Sequence, residues 1–452
     1  MTKQSSSKAI AHDICLTLQN AGYEAYWAGG CVRDQYLGLH PKDYDIATSA
    51  RPNQVEALFS KTLAIGKSFG VIAVIEDKIQ IDVATFRADA PYSDGRHPDA
   101  VTFCAAAEDA KRRDFTINAL FYDPISKKLI DYVDGMADLK AGLIRAIGTP
   151  LERFQEDRLR LLRAVRFSHV LSFHIEPSTR QALEQEASMI NAVSIERIEC
   201  ELTRTLTESQ NPGDALHTLQ TVGLLPEILP EVSRLIGVEQ PPDYHPEGDV
   251  YTHTRMMLNQ MKDVSDDSGF TQLEIAYAIL LHDISKPDTY ALHPDPKTGG
   301  KRIRFLEHEA KGAIQADVIL KRLKIPNRQR QRIVDVIANH MRPFQATQMR
   351  HSTLRRMMGA PTFPLLLELH RLDGLGSRGL LPSYSFLHKA YHTFKEKPIL
   401  PKPWISGRDL IARGMKDGPA LGRLLSRAYD RQLEEKEPNR EALLHWLKTH
   451  QK

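Results

Sequence analysis

Two aspartates one residue apart, Asp43 and Asp45 in the run DYD, are the first side chains whose types and spacing point to chemistry. On a strand, residues two apart share a face, so both carboxylates project together while Tyr44 and Ile46 point the other way. Like charges that close repel unless a cation lies between them. A carboxylate pair suits Mg²⁺, which completes its octahedron with water and phosphate oxygens. Upstream, Gly29 and Gly30 follow a β-rich run and precede CVRDQYLGL. A glycine turn there lets backbone N–H groups approach a triphosphate, and Arg33 can fork onto its oxygens. Alone, each motif is an ordinary turn or a solvated strand end; together they read as a metal–nucleotide site. Asp82 in IDVATFR is a candidate third carboxylate.

These residues need a scaffold, and the chain is long enough to supply several. Its 452 residues, 42% hydrophobic and 26% charged, describe a multi-domain globular protein. A net charge of +3 is too small to name a polyanionic partner, so any nucleic-acid contact has to come from local clustering. Cys15, Cys31, Cys104 and Cys200 form neither a CxxC motif nor a disulfide framework, which fits a reducing cytosol. The N-terminus has no apolar signal core, and the most apolar helical run, LEIAYAILLHDI, is too short to span a bilayer and carries His282 and Asp283. A cytoplasmic protein without membrane contact is expected.

From Tyr23 to about Phe121, short β-rich runs alternate with helical stretches, predicting a small α/β domain with one mixed sheet. Beyond about residue 138 the apolar spacing turns helical. A Pro-rich break, GVEQPPDYHPEGD, precedes a His-rich helical block that runs to about residue 380, and a last segment reads as short helices joined by glycine turns. In EDRLRLLRAVR, Asp157, Arg160, Arg163 and Arg166 recur every third residue, which on a helix gives one polar ridge.

The run GGCVRD with DYD resembles the signature of nucleotidyltransferases related to DNA polymerase beta. IDVATFR, YSDGRHPDAVTF, EDAKRRDFTINALFYDP, IDYVDGMADL, RFQEDRLRLLRAVRF and VSIERIECEL follow in order and narrow the resemblance to the class II tRNA nucleotidyltransferase and poly(A) polymerase family. The resemblance implies an α+β protein: a polymerase-beta-like head at 1–137, then an all-α neck at 138–240 with a nucleotide-template helix. It also implies Mg²⁺ on Asp43 and Asp45, nucleotide contacts by Gly29, Gly30, Arg33 and Arg113, and ribose binding by Asp114. Asp157 and Arg160 would read the Watson–Crick edge of the base while Arg163 and Arg166 face the triphosphate. A carboxylate accepts from an exocyclic amine and a guanidinium donates to a ring nitrogen or carbonyl, so the pairing is chemically sound.

Poly(A) polymerases of this family carry a basic pair where this chain has Lys67 and Ser68, which favours tRNA as partner and CTP and ATP as substrates. The loop FRADAPYSDGRHPDAVTF has the length expected of A-adding enzymes, so full CCA synthesis and A-only addition both stand. YTHT, LLHDISKPDT, LEHEAKG, ANHMR and ELHRLDGLGSRG resemble an HD phosphohydrolase domain at 241–380, followed by a helical tail at 381–452. That resemblance names His253, His282, Asp283 and Asp373 as metal ligands, with His308 and His340 as additional candidates. The mixed N/O set suits Mg²⁺, Mn²⁺, Ni²⁺ or Fe. The alternatives are a poly(A) polymerase, and a phosphohydrolase whose head only binds RNA.

Overall fold

Alternating β-branched and aromatic residues build the expected mixed sheet at the N-terminus. Strands β1 (Ala25–Ala28), β2 (Asp45–Thr48), β3 (Thr62–Gly66), β4 (Val71–Glu76) and β5 (Ile79–Thr85) are followed by a small antiparallel ladder of β6 (Arg87–Asp89) and β7 (Val101–Phe103), then β8 (Phe121–Asp123) and β9 (Lys128–Ile130). The main sheet has seven strands in the order β3-β4-β5-β2-β1-β8-β9. Only β2 and β5 run parallel. The computed structural model describes residues 3–89, 101–296, 299–379, 381–393 and 398–449, and the chain divides into two compact units, Met1–Pro230 and Glu231–Lys452. The loop around Asp94 to Arg96 lies outside the described residues.

Register places the carboxylates. Ala28 pairs with Asp45, and Ile46 pairs with Val83, which brings Asp45 and Asp82 to neighbouring strand positions on one edge of the cleft. β2 begins at Asp45, so Asp43 belongs to the incoming connection rather than to the strand. The alternation persists nonetheless: Tyr44 is buried, packed edge-on against Trp27, while Asp43 and Asp45 both face outward. Behind the sheet, Phe86 and Phe121 anchor a dry cluster with Ala28, Ala47 and Ile147.

Helices then take over, with one minor exception, a two-residue parallel pairing of Leu143–Ile144 with His174–Ile175. The polar ridge does not lie on one helix. A helix at Pro150–Glu156 stops at Asp157, whose backbone is extended at φ −142° and ψ 102°, and a second helix starts at Leu159 and runs to Val170. No proline or glycine marks this break, so the spacing of the ridge does not reveal it.

In the second unit, Gln272–Leu281 is buried on all sides and forms the hub of a helical core. Among the described residues, no helix is long and apolar enough to cross a membrane. An antiparallel hairpin, Tyr290–Pro294 with Lys301–Phe305, interrupts the block expected to be purely helical. Its alternating Tyr290, Leu292, Ile303 and Phe305 carry a period of two that the surrounding histidines and prolines obscured. The last helices close on their own cluster, including Ile405, Leu421, Leu424 and Leu443.

One glycine in the head is required by packing. Gly135 opens the helix Gly135–Ala141 against the turn Thr116–Asn118, and a Cβ there would lie 2.3 Å from the Thr116 carbonyl oxygen. Gly135→Ala is therefore expected to destabilise the protein by about 1–3 kcal/mol, the usual scale of forced backbone shifts. Urea denaturation followed by circular dichroism measures it, and a wild-type midpoint would contradict the packing described.

Candidate active site and metal centre

The head cleft is a cavity of about 840 Å³ whose floor carries Asp43, Asp45 and Asp82 and whose wall carries the helix Leu159–Val170. Asp45 remains open to the cleft but has protein on most sides. That enclosure, then the charges of Asp43 and Asp82, push its pKa up to about 6 against the pull of Arg113. Three carboxylates on one cleft floor offer anionic oxygen donors of the kind Mg²⁺ takes. The residues present fit such a cation.

Gly29 has φ 74°, and a Cβ there would come within 3.2 Å of an Arg113 terminal nitrogen, so only glycine lets β1 turn this close to the arginine. Its N–H donates to the Leu120 carbonyl at 3.1 Å, however, and is not free for a phosphate. Arg33 also differs from expectation. Its Nε and Nη2 close on Asp34 at 2.8 and 2.6 Å, and its Nη1 donates to Asn118 at 2.7 Å. The fork is already occupied by the carboxylate of the next residue and the Asn118 amide oxygen. Arg113 is held by Asp109, which also accepts from Arg112 and stays ionised below its usual range because those two guanidinia outweigh its burial.

Asp114 is buried and accepts from Arg163 at 2.6 and 2.8 Å; that pairing outweighs desolvation and lowers its pKa to about 2. Arg163 reaches on to Glu201 at 3.5 Å, and Glu201 takes Arg166 at 2.6 Å. Arg33, Arg163 and Arg166 all lie over the ring of Phe167, at 5.1, 5.1 and 4.2 Å from its centroid. Arg166 thus faces inward to a carboxylate and a ring as well as lining the cavity.

Asp157 and Arg160 both line the cavity, but they do not pair. Asp157 is only half-buried and accepts from Arg197 at 2.8 Å. Arg160 donates through Nη1 to Glu156 at 2.7 Å and to the Arg153 carbonyl at 2.8 Å, and through Nη2 to the Arg112 carbonyl at 3.1 Å. Of its five N–H groups, Nε–H and one on Nη2 remain to face a ligand. Sequence reasoning missed Glu156, Arg197, Glu201 and Asn118. Glu156 was findable four residues before Arg160 on a helix, whereas Arg197 and Glu201 come from the helix Ile195–Glu208, which no local spacing connects to the site.

In the second unit, His253, His282, Asp283, Asp373, His308 and His340 are all buried and cluster together. Three triads have ligand atoms close enough to hold a metal ion: His245–Glu247–His253, His253–His282–Asp283 and Asp283–His308–His340; the first two share His253 and the last two share Asp283. His282, His308 and His340 point Nδ1 at the carbonyls of Ile279, Phe305 and Ile337 at 2.8, 2.8 and 2.7 Å. A carbonyl only accepts, so Nδ1 carries the proton and Nε2 keeps a lone pair. These lone pairs converge: His282 Nε2 lies 3.0 Å from Asp283 and His308 Nε2 3.2 Å from His340 Nε2. His253 Nε2 is 3.3 Å from Asp373 and, like His282 Nε2, is buried without a hydrogen-bond partner. Burial and the neighbouring His282 bring His340 down to about 3, so it stays a neutral ligand, while His282 and Lys286 hold Asp283 ionised despite its burial. Acceptors facing acceptors in a dry cluster are what a divalent cation satisfies. Lys286, three residues past Asp283 and 2.7 Å from it, went unnoticed in the sequence.

Residues 25–145 match the poly A polymerase head domain, 172–236 the probable RNA and SrmB-binding site of polymerase A, and 250–374 the HD domain. A CCA-adding enzyme of Levilactobacillus brevis is 45% identical over 216 residues, 48% of this chain and 54% of that protein. One from Bacillus velezensis is 42% identical over 224 residues, 49% and 55% of the two chains. The match thus spans about half the length of these curated relatives. Among solved structures, the Bacillus stearothermophilus CCA-adding enzyme in complex with CTP aligns over 99% of both chains with TM-score 0.72 and 25% identity. The Thermotoga maritima CCA-adding enzyme complexed with tRNA_CCA shares the fold, with TM-score 0.60 and 19% identity over 98% of this chain and 95% of its own.

The crowded carboxylates have a measurable consequence. A carboxylate whose folded pKa is raised costs stability above that pKa, and the cost disappears as pH falls towards its unfolded value. Asp43→Asn removes one of the repelling charges, so its melting temperature in EDTA should exceed wild type by roughly 1–3 °C at pH 7.5 and by less near pH 4, the small size reflecting solvent screening. Differential scanning calorimetry at both pH values checks this; an unchanged melting temperature at pH 7.5 would show that the carboxylates do not interact.

Proposed function

We propose that this chain, a member of the tRNA nucleotidyltransferase and poly(A) polymerase family, adds CCA or its terminal A to tRNA 3′ ends from CTP and ATP in the cytoplasm. The observation that carries this reading is the single cleft in which an Asp43–Asp45–Asp82 cluster faces a row of anchored arginines. On this reading the chain is a head (1–137), neck (138–240), HD domain (241–380) and tail (381–452). Asp43 and Asp45 would hold Mg²⁺, which would supply charge neutralisation at the α-phosphate and activation of the 3′-hydroxyl for in-line attack, with pyrophosphate as the leaving group. Asp114, fixed by Arg163, accepts from the ribose, and Arg113 and Arg166 balance the triphosphate. Asp157 and Arg160 offer an acceptor and a donor pair to the base edge. Arg33 and Gly29 shape the wall rather than grip phosphate directly.

A tRNA ending at its discriminator base, incubated with CTP and ATP, should gain three nucleotides and stop. Asp43→Ala and Asp45→Ala should each abolish that addition while leaving tRNA binding within a few-fold of wild type, because Arg and Lys contacts to phosphate carry most non-specific affinity. A long A tail would identify a poly(A) polymerase, and extension only of tRNA ending in CC would identify A-only addition.

Arg160→Ala tests base reading. A bidentate edge contact discriminates by about 1–3 kcal/mol, so kcat/KM for CTP over UTP and for ATP over GTP should fall roughly ten- to a hundredfold. Turnover at saturating nucleotide should stay above that of Asp43→Ala. Wild-type preference in the folded variant would remove the Leu159–Val170 helix as template.

The buried histidine cluster supports a second activity, phosphoester hydrolysis at a divalent metal. His253, His282, Asp283 and Asp373 would hold the ion, with Asp283, His308 and His340 as the adjoining triad. His282→Ala should abolish hydrolysis of bis-p-nitrophenyl phosphate in Ni²⁺ or Mn²⁺ and leave CCA addition within about twofold, since the head supplies its own ligands. Absence of hydrolysis by wild type with Mg²⁺, Mn²⁺, Ni²⁺ and Co²⁺ would make this domain a scaffold.

A further inference from the structure

We propose that Glu247, from the Pro-rich segment before the helix Val250–Asn259, is the positioning residue of the histidine–aspartate metal centre, orienting the ligand His253; this rests on the metal-centre reading above. Three histidines of the cluster are aimed by carbonyls of their own chain segments three residues earlier. His253 is the exception. Its Nδ1 lies 2.7 Å from Glu247 Oε1, six residues upstream and outside its helix Val250–Asn259. An acceptor that carries full charge fixes the proton on Nδ1, turns Nε2 towards Asp373 and raises the basicity of that lone pair.

Three observations separate this role from simple tethering of the segment. Asp249 already fastens the entry to that helix, accepting from Thr252 N at 2.8 Å and Gly237 N at 2.6 Å. Glu247 Oε1 takes both His253 and, at 2.8 Å, His245, while Oε2 is buried with no hydrogen-bond partner. A carboxylate kept for tethering alone would leave neither an orphan oxygen nor its charge in a dry site. The ring of His253 also packs against Gly376, where a Cβ would stand 3.4 Å from its Cε1 and 3.5 Å from its Nδ1, so no other side chain has room to replace the acceptor on that side.

The test uses the full chain carrying Asp43→Ala and Asp45→Ala, which silences the head, with His282→Ala as reference. Isothermal titration of the metal-stripped proteins with Ni²⁺ and with Mn²⁺ gives Kd, and melts in EDTA and in excess metal give the metal-induced rise in Tm. Glu247→Ala should raise Kd about 10- to 100-fold and shrink the Tm rise. Glu247→Gln keeps a neutral acceptor and should fall between Glu247→Ala and the parent; it carries the test alone where the alanine variant does not fold. A parental Kd in the folded variant, with Tm lowered equally with and without metal, overturns the proposal while leaving the metal centre intact. Equal metal uptake by the parent and His282→Ala overturns the centre and this proposal with it.

Discussion

Eight arginines line one cleft, Arg33, Arg112, Arg113, Arg160, Arg163, Arg166, Arg197 and Arg204, and they can coexist there only because each is tied to an acceptor. Asp34, Asp109, Glu156, Asp114, Glu201, Asp157 and Glu208 supply the carboxylates. The pairing does two things. It offsets repulsion that would otherwise splay the neck helices, and it fixes the direction of donors that a flexible side chain would leave averaged over rotamers. A site assembled from pre-aimed donors loses little freedom when a polyanion arrives. Paired in this way, many aimed donors share one cleft in a chain whose net charge is only +3.

The second unit solves the opposite problem. Its cluster gathers buried imidazoles and carboxylates whose nitrogens and oxygens face one another, an arrangement that a small cation satisfies. Lys286, the exception, is fixed by Asp283 and Gln240 and lies over the Phe305 ring. The hairpin Tyr290–Phe305 that brings that ring was invisible in the sequence, yet it walls one side of His308.

What could be read in advance divides by range of interaction. The mixed sheet, the glycine turn and DYD depend on spacings within a few residues, which local patterns report directly, whereas the histidine series, spread from His253 to His340, was legible only through the resemblance to an HD domain. The break at Asp157 was hidden because an extended backbone at one residue leaves the composition of both flanking helices unchanged. Partner choice was hidden for a different reason. Asp157 takes Arg197, 40 residues away, rather than Arg160, and the outcome is decided by which donor tertiary packing brings nearest. Local periodicity lists the candidates for a pair without ranking them.

The carbonyl oxygen of Arg112 accepts from Arg160 and also, at 3.4 Å, from Arg153. Two residues further on, Asp114 is clamped by Arg163, one turn along the same helix from Arg160. The segment Arg112–Asp114 and the helix Leu159–Val170 are thereby bolted at two points, like a frame with two rivets. Such a frame transmits rotation but allows no sliding between its members. Any adjustment of the cleft between these two members therefore falls to side-chain torsions within the frame, and the backbone around it can stay still.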